Sequence, residues 1–169
     1  MSATQGSTVP NTTFSYVPWA PELDSGKACG VPTTFQSHDR WKGKKVVIVS
    51  VPGAFTPTCH VNHIPPYVEK LKEFKAKGVD EVAVIAANDP FVMSAWGVRE
   101  GGKEEPIFAS DVNAAFSHGL GATLDLSDKG FGTRTARYAL VINDLKIEYF
   151  AEDKGELSQS AADAVLSKL

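Results

Sequence analysis

Cysteine is scarce in this sequence, with two residues, Cys29 and Cys59, in 169. Two thiols cannot make a disulfide scaffold. A chain of this length does not need one, because folding at this size buries roughly 70% of the unfolded surface. So low a count fits a reducing, intracellular compartment. The sequon Asn11-Thr12-Thr13 is then without consequence, since N-glycosylation belongs to the secretory route. Neither sign of charge is in excess: 17 Lys and Arg against 20 Asp and Glu leave a formal net charge of −3. A basic stripe that could track phosphates is missing, which argues against nucleic acid as a partner. Long apolar runs are missing too; Val46-Val47-Ile48-Val49 is far short of the roughly 20 residues of a membrane span. Residues 1–14 have neither the apolar core of a secretory leader nor the arginines of a transit peptide, so no such leader is expected.

What remains is the composition of one soluble globular domain over residues 1–169, 43% hydrophobic and 22% charged. Residues 1–45, rich in Pro, Gly, Ser and Thr, read as loops and short strands. The β-branched run at 44–51, stopped by Pro52-Gly53, predicts a buried strand. From 56 to 77, Val61, Ile64, Val68, Leu71 and Phe74 recur at helical spacing; Pro65-Pro66 should divide or kink that helix and Gly78 end it. Residues 81–87 predict the next strand. Asp89 as N-cap and Pro90 at the first helical position open a helix whose Phe91, Met93 and Trp96 cover the core. A strand at 105–110, a capped helix at 111–121 and a polar, Gly-containing loop at 124–136 follow. Strands at 137–142 and 146–152 make a hairpin across Asn143-Asp144-Leu145, and a final helix over 157–169 takes Ser158 or Ser160 as its cap. The β-α-β order implies right-handed crossovers between parallel strands, and the closing hairpin makes the sheet mixed. The expected class is α/β: a thioredoxin-like three-layer fold with a mixed central sheet flanked by helices.

Cys59 falls just after the first long strand, in the opening turn of a helix. Unpaired backbone N–H groups and the positive end of the helix dipole there favour thiolate over thiol. Thr56 is placed to cap that helix and to present a hydroxyl beside the sulfur, and Pro52 to shield the turn from water. From position alone two readings stand: an activated nucleophile, or an inert cysteine buried at a helix start.

The pattern P-x-x-x-T-x-x-C, filled by Pro52, Thr56 and Cys59 in "VPGAFTPTC", resembles the active-site segment of the peroxiredoxins. It is most similar to the type II, peroxiredoxin-5-like branch, with its fungal peroxisomal and allergen members. "GVDEVAVIAANDPFVMSAWG", "FASDVNAAFSHGLG" and "LDLSDKGFGTRTARYALVI" extend the resemblance over residues 44–150. It implies a thiol-dependent peroxidase that reduces hydrogen peroxide and alkyl hydroperoxides to water and alcohols. Cys59 would attack the peroxide and become a sulfenic acid. It also implies an arginine, just before the strand after the long loop, that reaches the sulfur. By its match to "RYALVI" this is Arg137, with Arg134 the second candidate; the residue pattern alone reads equally as a surface charge at a sheet edge. No cofactor is implied. An external thiol would act as reductant, from a thioredoxin, glutaredoxin or glutathione system. The resemblance also implies a homodimer, with Trp96 or Phe55 near the interface as an alternative to the core role.

The second thiol is Cys29, in "KACGVP". Fungal relatives have a cysteine at this early position, which the resemblance makes a resolving residue toward the other subunit's Cys59; an isolated structural thiol is the alternative. His60 and His63 do not point to a metal: Cys59 and His63 share a helical face at i and i+4, but further cysteine ligands are absent and His38 and His118 are remote in sequence. "GFGTRT" lacks the third glycine of a dinucleotide fingerprint. A C-x-x-C motif is absent, which argues against a thiol–disulfide oxidoreductase. A peroxide-sensing redox relay or interaction protein using the same Cys59 is the alternative function. The closing Ser167-Lys168-Leu169 reads as the tripeptide bound by the peroxisomal import receptor, which predicts the peroxisomal matrix, with a cytoplasmic pool as a second location.

Overall fold

The fold is seen in a computed structural model that describes residues 3–169. Residues 3–44 supply two short strands, β1 (Thr13–Tyr16) and β2 (Thr33–Gln36), a 3-10 turn (Pro21–Ser25) and a helix of a turn and a half, α1 (Ser37–Trp41). The β-branched run follows as β3 (Lys45–Ser50). The segment expected to be one divided helix is three pieces: a π-helical turn (Cys59–His63), α2 (Pro65–Glu69) and α3 (Leu71–Ala76). Pro65 and Pro66 have no N–H to donate, so an α ladder cannot run through them. The last N–H before them, that of Ile64, donates five residues back to the Cys59 carbonyl at 3.1 Å. Then come β4 (Glu81–Ala86), α4 (Pro90–Arg99), β5 (Ile107–Asp111) and α5 (Ala115–Leu120). The chain ends through β6 (Thr123–Leu126), β7 (Gly132–Thr135), β8 (Tyr138–Asn143), β9 (Lys146–Glu152) and α6 (Ala162–Leu166).

Seven strands form one mixed sheet in the order β2-β1-β5-β4-β3-β8-β9. β3, β4 and β5 are parallel at its centre, and the strands flanking them pair antiparallel. Along β3, Val47 and Val49 face one core while Val46 and Ile48 face the other. Both faces are covered, which is why the strand reads as a continuous apolar run rather than an alternating one. The first core takes Tyr67 of α2, Phe74 of α3, Trp96 of α4 and Val165 of α6. The second takes Trp41 of α1 and Phe116 of α5 against Phe14 of β1. Burying each such large apolar side chain contributes about 1.5–3 kcal/mol.

α4 begins where the sequence predicts. The Asp89 carboxylate accepts from the N–H groups of Phe91 (2.9 Å) and Val92 (3.0 Å). The helix lies close on β5 because position 97 is glycine; a Cβ there would sit 2.7 Å from Phe108 Cδ2. Trp96 is fully buried and belongs to the core, so the interface role is not open to it, whereas Phe55 is 50% exposed.

Two expectations need correction. The stretch 124–136 is not an irregular loop: β6 and β7 pair antiparallel from Thr123↔Thr135 to Leu126↔Gly132. This hairpin lies off the main sheet, and β7 (Gly-Thr-Arg-Thr) has no apolar side chain, so the stretch carries no buried-strand signature. The last helix begins at Ala162 with Ala161 as its N-cap and has no side-chain cap. The Ser158 N–H and the Ser160 N–H and hydroxyl donate instead to the Asp153 carboxylate.

Candidate active site

The site forms where β3 ends and β8 begins. Ser50 pairs with Tyr138, so the residues that follow Ser50 and precede Tyr138 leave the sheet side by side. That register brings Arg137 next to the Pro52–Cys59 segment although 78 residues separate Arg137 from Cys59. The segment is pinned at several points. The Thr135 hydroxyl donates to the Val51 carbonyl at 2.6 Å. The Ala54 N–H donates to Asn88 Oδ1 at 2.9 Å, and Arg134 Nη1 to the Pro52 carbonyl at 3.4 Å. Phe55 takes the left-handed conformation (φ 58°), which costs a non-glycine residue about 1–3 kcal/mol. Its ring packs against His60 and Trp96, at centroid distances of 5.6 and 6.3 Å.

Cys59 lies in the first core and is 1% exposed. Arg137 Nη2 donates to its Sγ at 3.3 Å. Arg134 is directed elsewhere: its Nε donates to the Phe131 carbonyl at 2.9 Å. Thr56 does not cap the helix with its side chain as expected. Its hydroxyl donates to the Gly53 carbonyl at 2.8 Å, tightening the turn, while its own carbonyl accepts from the His60 N–H at 2.8 Å. Pro52 lies beside Arg137 in the wall of an adjoining cleft. Cys29 is exposed on another surface, in a cleft with Phe91 and Ala95 of α4.

Behind the arginine stands a chain of groups that sequence reasoning passed over. Arg137 Nη1 lies 2.9 Å from His63 Nδ1. His63 Nε2 lies 2.9 Å from the Ser160 carbonyl, which also accepts from the Tyr67 hydroxyl at 2.6 Å. These partners fix the tautomer: Nε2 carries the proton and donates to Ser160, and Nδ1 accepts from Arg137. Burial, and after it the Arg137 charge, push the imidazole down to about 4, so it is neutral at ordinary pH. Ser160 is itself held by Asp153, whose Oδ2 accepts from its N–H at 2.9 Å and its hydroxyl at 2.7 Å; Oδ1 accepts from the Gln159 N–H at 2.9 Å. Burial works against the Asp153 carboxylate, but the bonds from Ser158, Ser160 and Gln159 hold it below the usual range. The spacing offers His63 only as a metal ligand, and Ser160 only as a helix cap. With both ring nitrogens engaged, His63 has no lone pair free for a metal. The signal for these roles was weak: a histidine at i+4 from the cysteine, and a serine far down the chain.

On the other side of the π-helical turn, His60 Nδ1 contacts the Glu100 carboxylate, which also accepts from the Trp96 indole N–H at 3.0 Å. Glu100 is 4% exposed by its side chain, and burial raises its pKa above the ordinary value against the pull of His60. This cluster ties the residue after Cys59 to the C-terminal end of α4.

The arrangement is suited to nucleophilic chemistry at sulfur. A guanidinium contacts the thiol directly and is oriented by a neutral acceptor. The chain is similar throughout to proteins of that chemistry. The Redoxin family profile matches residues 4–166. A protein of Malassezia furfur named as a peroxiredoxin is 68% identical over 97% of this chain and 99% of its own length. One of Lipomyces kononenkoae, named as a peroxisomal peroxiredoxin, is 47% identical over 92% of this chain and 94% of its own. Among solved structures, reduced Prx3 of Vibrio vulnificus in complex with H2O2 superposes with a TM-score of 0.84 at 34% identity, covering 97% of both chains.

Proposed function

Because the chain belongs to the peroxiredoxins, thiol-dependent peroxidases of the redoxin family, we propose that Cys59 is the nucleophile with which it reduces hydrogen peroxide and alkyl hydroperoxides. The observation that carries this assignment is the 3.3 Å contact from Arg137 Nη2 to Cys59 Sγ. A charged donor bonds a thiolate more strongly than a thiol, and its second N–H groups are available to peroxide oxygens.

The thiolate attacks the terminal oxygen of the hydroperoxide. An S–O bond forms as the O–O bond breaks; sulfur is oxidised by two electrons, and the leaving oxygen departs as hydroxide or alkoxide and takes a proton from solvent. Cys59 is left as a sulfenic acid. Arg137 and backbone N–H groups of the Cys59 turn stabilise the charge that spreads along the breaking bond. Thr56 holds the turn and offers its hydroxyl oxygen beside the reacting atoms, and Pro52 excludes water. A thiol then condenses with the sulfenic acid, releasing water and forming a disulfide, and a second thiol reduces it. Cys29 of a neighbouring subunit is the first of these thiols in a homodimer. The exposed apolar side chains Phe55, Val61 and Phe91 support such self-association. A thioredoxin, glutaredoxin or glutathione system supplies the second.

The Lipomyces relative's name supports a peroxisomal location, as does Ser167-Lys168-Leu169, in which the first two residues are exposed and Leu169 packs in part against the core. The test of the catalytic assignment is stopped-flow peroxide consumption by the unmodified protein and Cys59→Ser, with thioredoxin, glutaredoxin and glutathione as donors. Cys59→Ser should consume none. A Cys59→Ser protein that still consumes peroxide would sink the assignment. An unmodified protein that is oxidised rapidly but turns over with no donor would favour the peroxide-sensing relay.

A further inference from the structure

Cys59 opens a π-helical turn, Cys59–His63, whose backbone alone does not favour that register. The Ile64 N–H donates five residues back, to the Cys59 carbonyl, at 3.1 Å. In an α register it would donate four residues back, to the His60 carbonyl, one bond for one bond. Pro65 and Pro66 follow with no N–H, so the next two positions add no bond to either register. Side chains therefore decide between the two.

Two side chains of the turn are clasped to different elements. His63 meets Arg137 and the Ser160 carbonyl ahead of α6. His60 meets the Glu100 carboxylate at the end of α4. On an α-helix, residues three apart are neighbours on one face. The wider π turn parts the two rings, so that each reaches its own partner; in an α register one clasp would have to open. The His60 clasp is firm because Glu100 is a buried carboxylate, 4% exposed by its side chain, and a buried charge must be met by donors. Its donors are the His60 imidazole and the Trp96 indole N–H, the latter at 3.0 Å. The Phe55 ring packs against both rings.

Granted the Cys59 reading above, we infer that the contact between His60 and Glu100 holds the π register, and that this register sets Cys59 Sγ against Arg137 Nη2. His60 and Glu100 are then positioning residues for the peroxidase reaction, acting through the turn rather than on the peroxide. Arg137 is carried by the start of β8, not by the turn. A change of register rotates the Cys59 side chain while the guanidinium stays in place, and the 3.3 Å contact is lost.

Two readouts test this. One is the register, read by NMR as the scalar coupling across the hydrogen bond from the Ile64 amide nitrogen to the carbonyl carbon of its acceptor. The other is kcat/KM for hydrogen peroxide with one thiol donor. In the unmodified protein the coupling should run to Cys59. In Glu100→Ala it should move to His60, and kcat/KM should fall roughly tenfold or more, the scale of one hydrogen bond to a charged group. In Glu100→Gln the amide oxygen still accepts from His60 and Trp96, so the coupling should stay at Cys59 and kcat/KM should recover to within about threefold. His60→Ala removes the same contact from the other side and serves if Glu100→Ala does not fold. A coupling that stays at Cys59 without the clasp, or a moved coupling with a near-normal rate, would overturn the inference. So would a lowered Tm with both readouts unchanged, which would mark a contact of purely structural value. Failure of the Cys59 reading is a separate result, seen as peroxide consumption that survives Cys59→Ser, and it leaves the register measurement untouched.

Discussion

Replacing His63 by asparagine should remove a large part of the protein's acid sensitivity. In the unfolded chain the imidazole titrates at its ordinary 6.5; in the fold it titrates at about 4, pushed down by burial and by Arg137. Between these two values the unfolded state holds more protons than the folded one, so stability falls as pH falls. The contribution is fully present above 6.5 and is lost progressively down to about 4. At about 1.4 kcal/mol for each tenfold change in proton activity, the gap is worth about 3 kcal/mol, a sizeable share of a typical 5–15 kcal/mol. Asparagine can still present an oxygen to Arg137 but carries no titrating proton. Urea unfolding at steps from pH 7 to pH 4, on the unmodified protein and His63→Asn, measures the effect. Glu100 and Asp111, whose pKa values burial raises, titrate in both proteins and cancel in the difference. The unmodified protein should lose about 3 kcal/mol more than the variant over this range. Parallel curves, or an NMR titration that places the folded His63 imidazole near 6.5, would refute the neutral-acceptor geometry.

Removal of the Arg137 guanidinium in Arg137→Ala should leave the circular dichroism spectrum unchanged and lower kcat/KM by roughly a hundredfold or more, the usual cost of a lost charge-stabilising donor; near-normal turnover would contradict its role. Arg137→Lys should recover only part of the rate, because an ammonium lacks the fork that reaches both Cys59 and His63. If Cys29 resolves the sulfenic acid between subunits, peroxide should produce a disulfide-linked dimer on a non-reducing gel that disappears in Cys29→Ser and in Cys59→Ser. A persistent monomer, with normal turnover of Cys29→Ser on an external thiol, would make Cys29 structural. Deleting Ser167-Lys168-Leu169 from a fluorescent fusion should move it from peroxisomes to the cytosol; an unchanged location would rule the tripeptide out as the address.

Features whose cause is local were readable in the chain. The run of β3 needs only β-branched residues and a Pro-Gly stop, and α4 needs only Asp89 and Pro90. The β8–β9 turn needs only Asp144 and Leu145 to accept positive φ, at 44° and 68°. Pro52, Thr56 and Cys59 lie within one turn-and-helix segment, so their pattern could be recognised together. The β6–β7 hairpin was not readable, because β7 has no apolar residue and its side chains bond to the distant Val51–Pro52 segment.

By itself, then, the sequence determined the alternation of strands and helices, the mixed sheet and the cysteine at a helix start, all of which depend on spacing over a few residues. What surrounds that cysteine was decided by tertiary structure, although the family resemblance points to Arg137. Arg137 reaches Cys59 across 78 residues, His63 meets Ser160 across 97, and both contacts exist because β8 pairs with β3 and β9 with β8. No periodicity encodes which arginine or serine will face the sulfur. The position of a polar group is fixed by strand register and by the need of buried N–H, hydroxyl and imidazole groups to find partners, and those partners are assembled only when distant segments pack together.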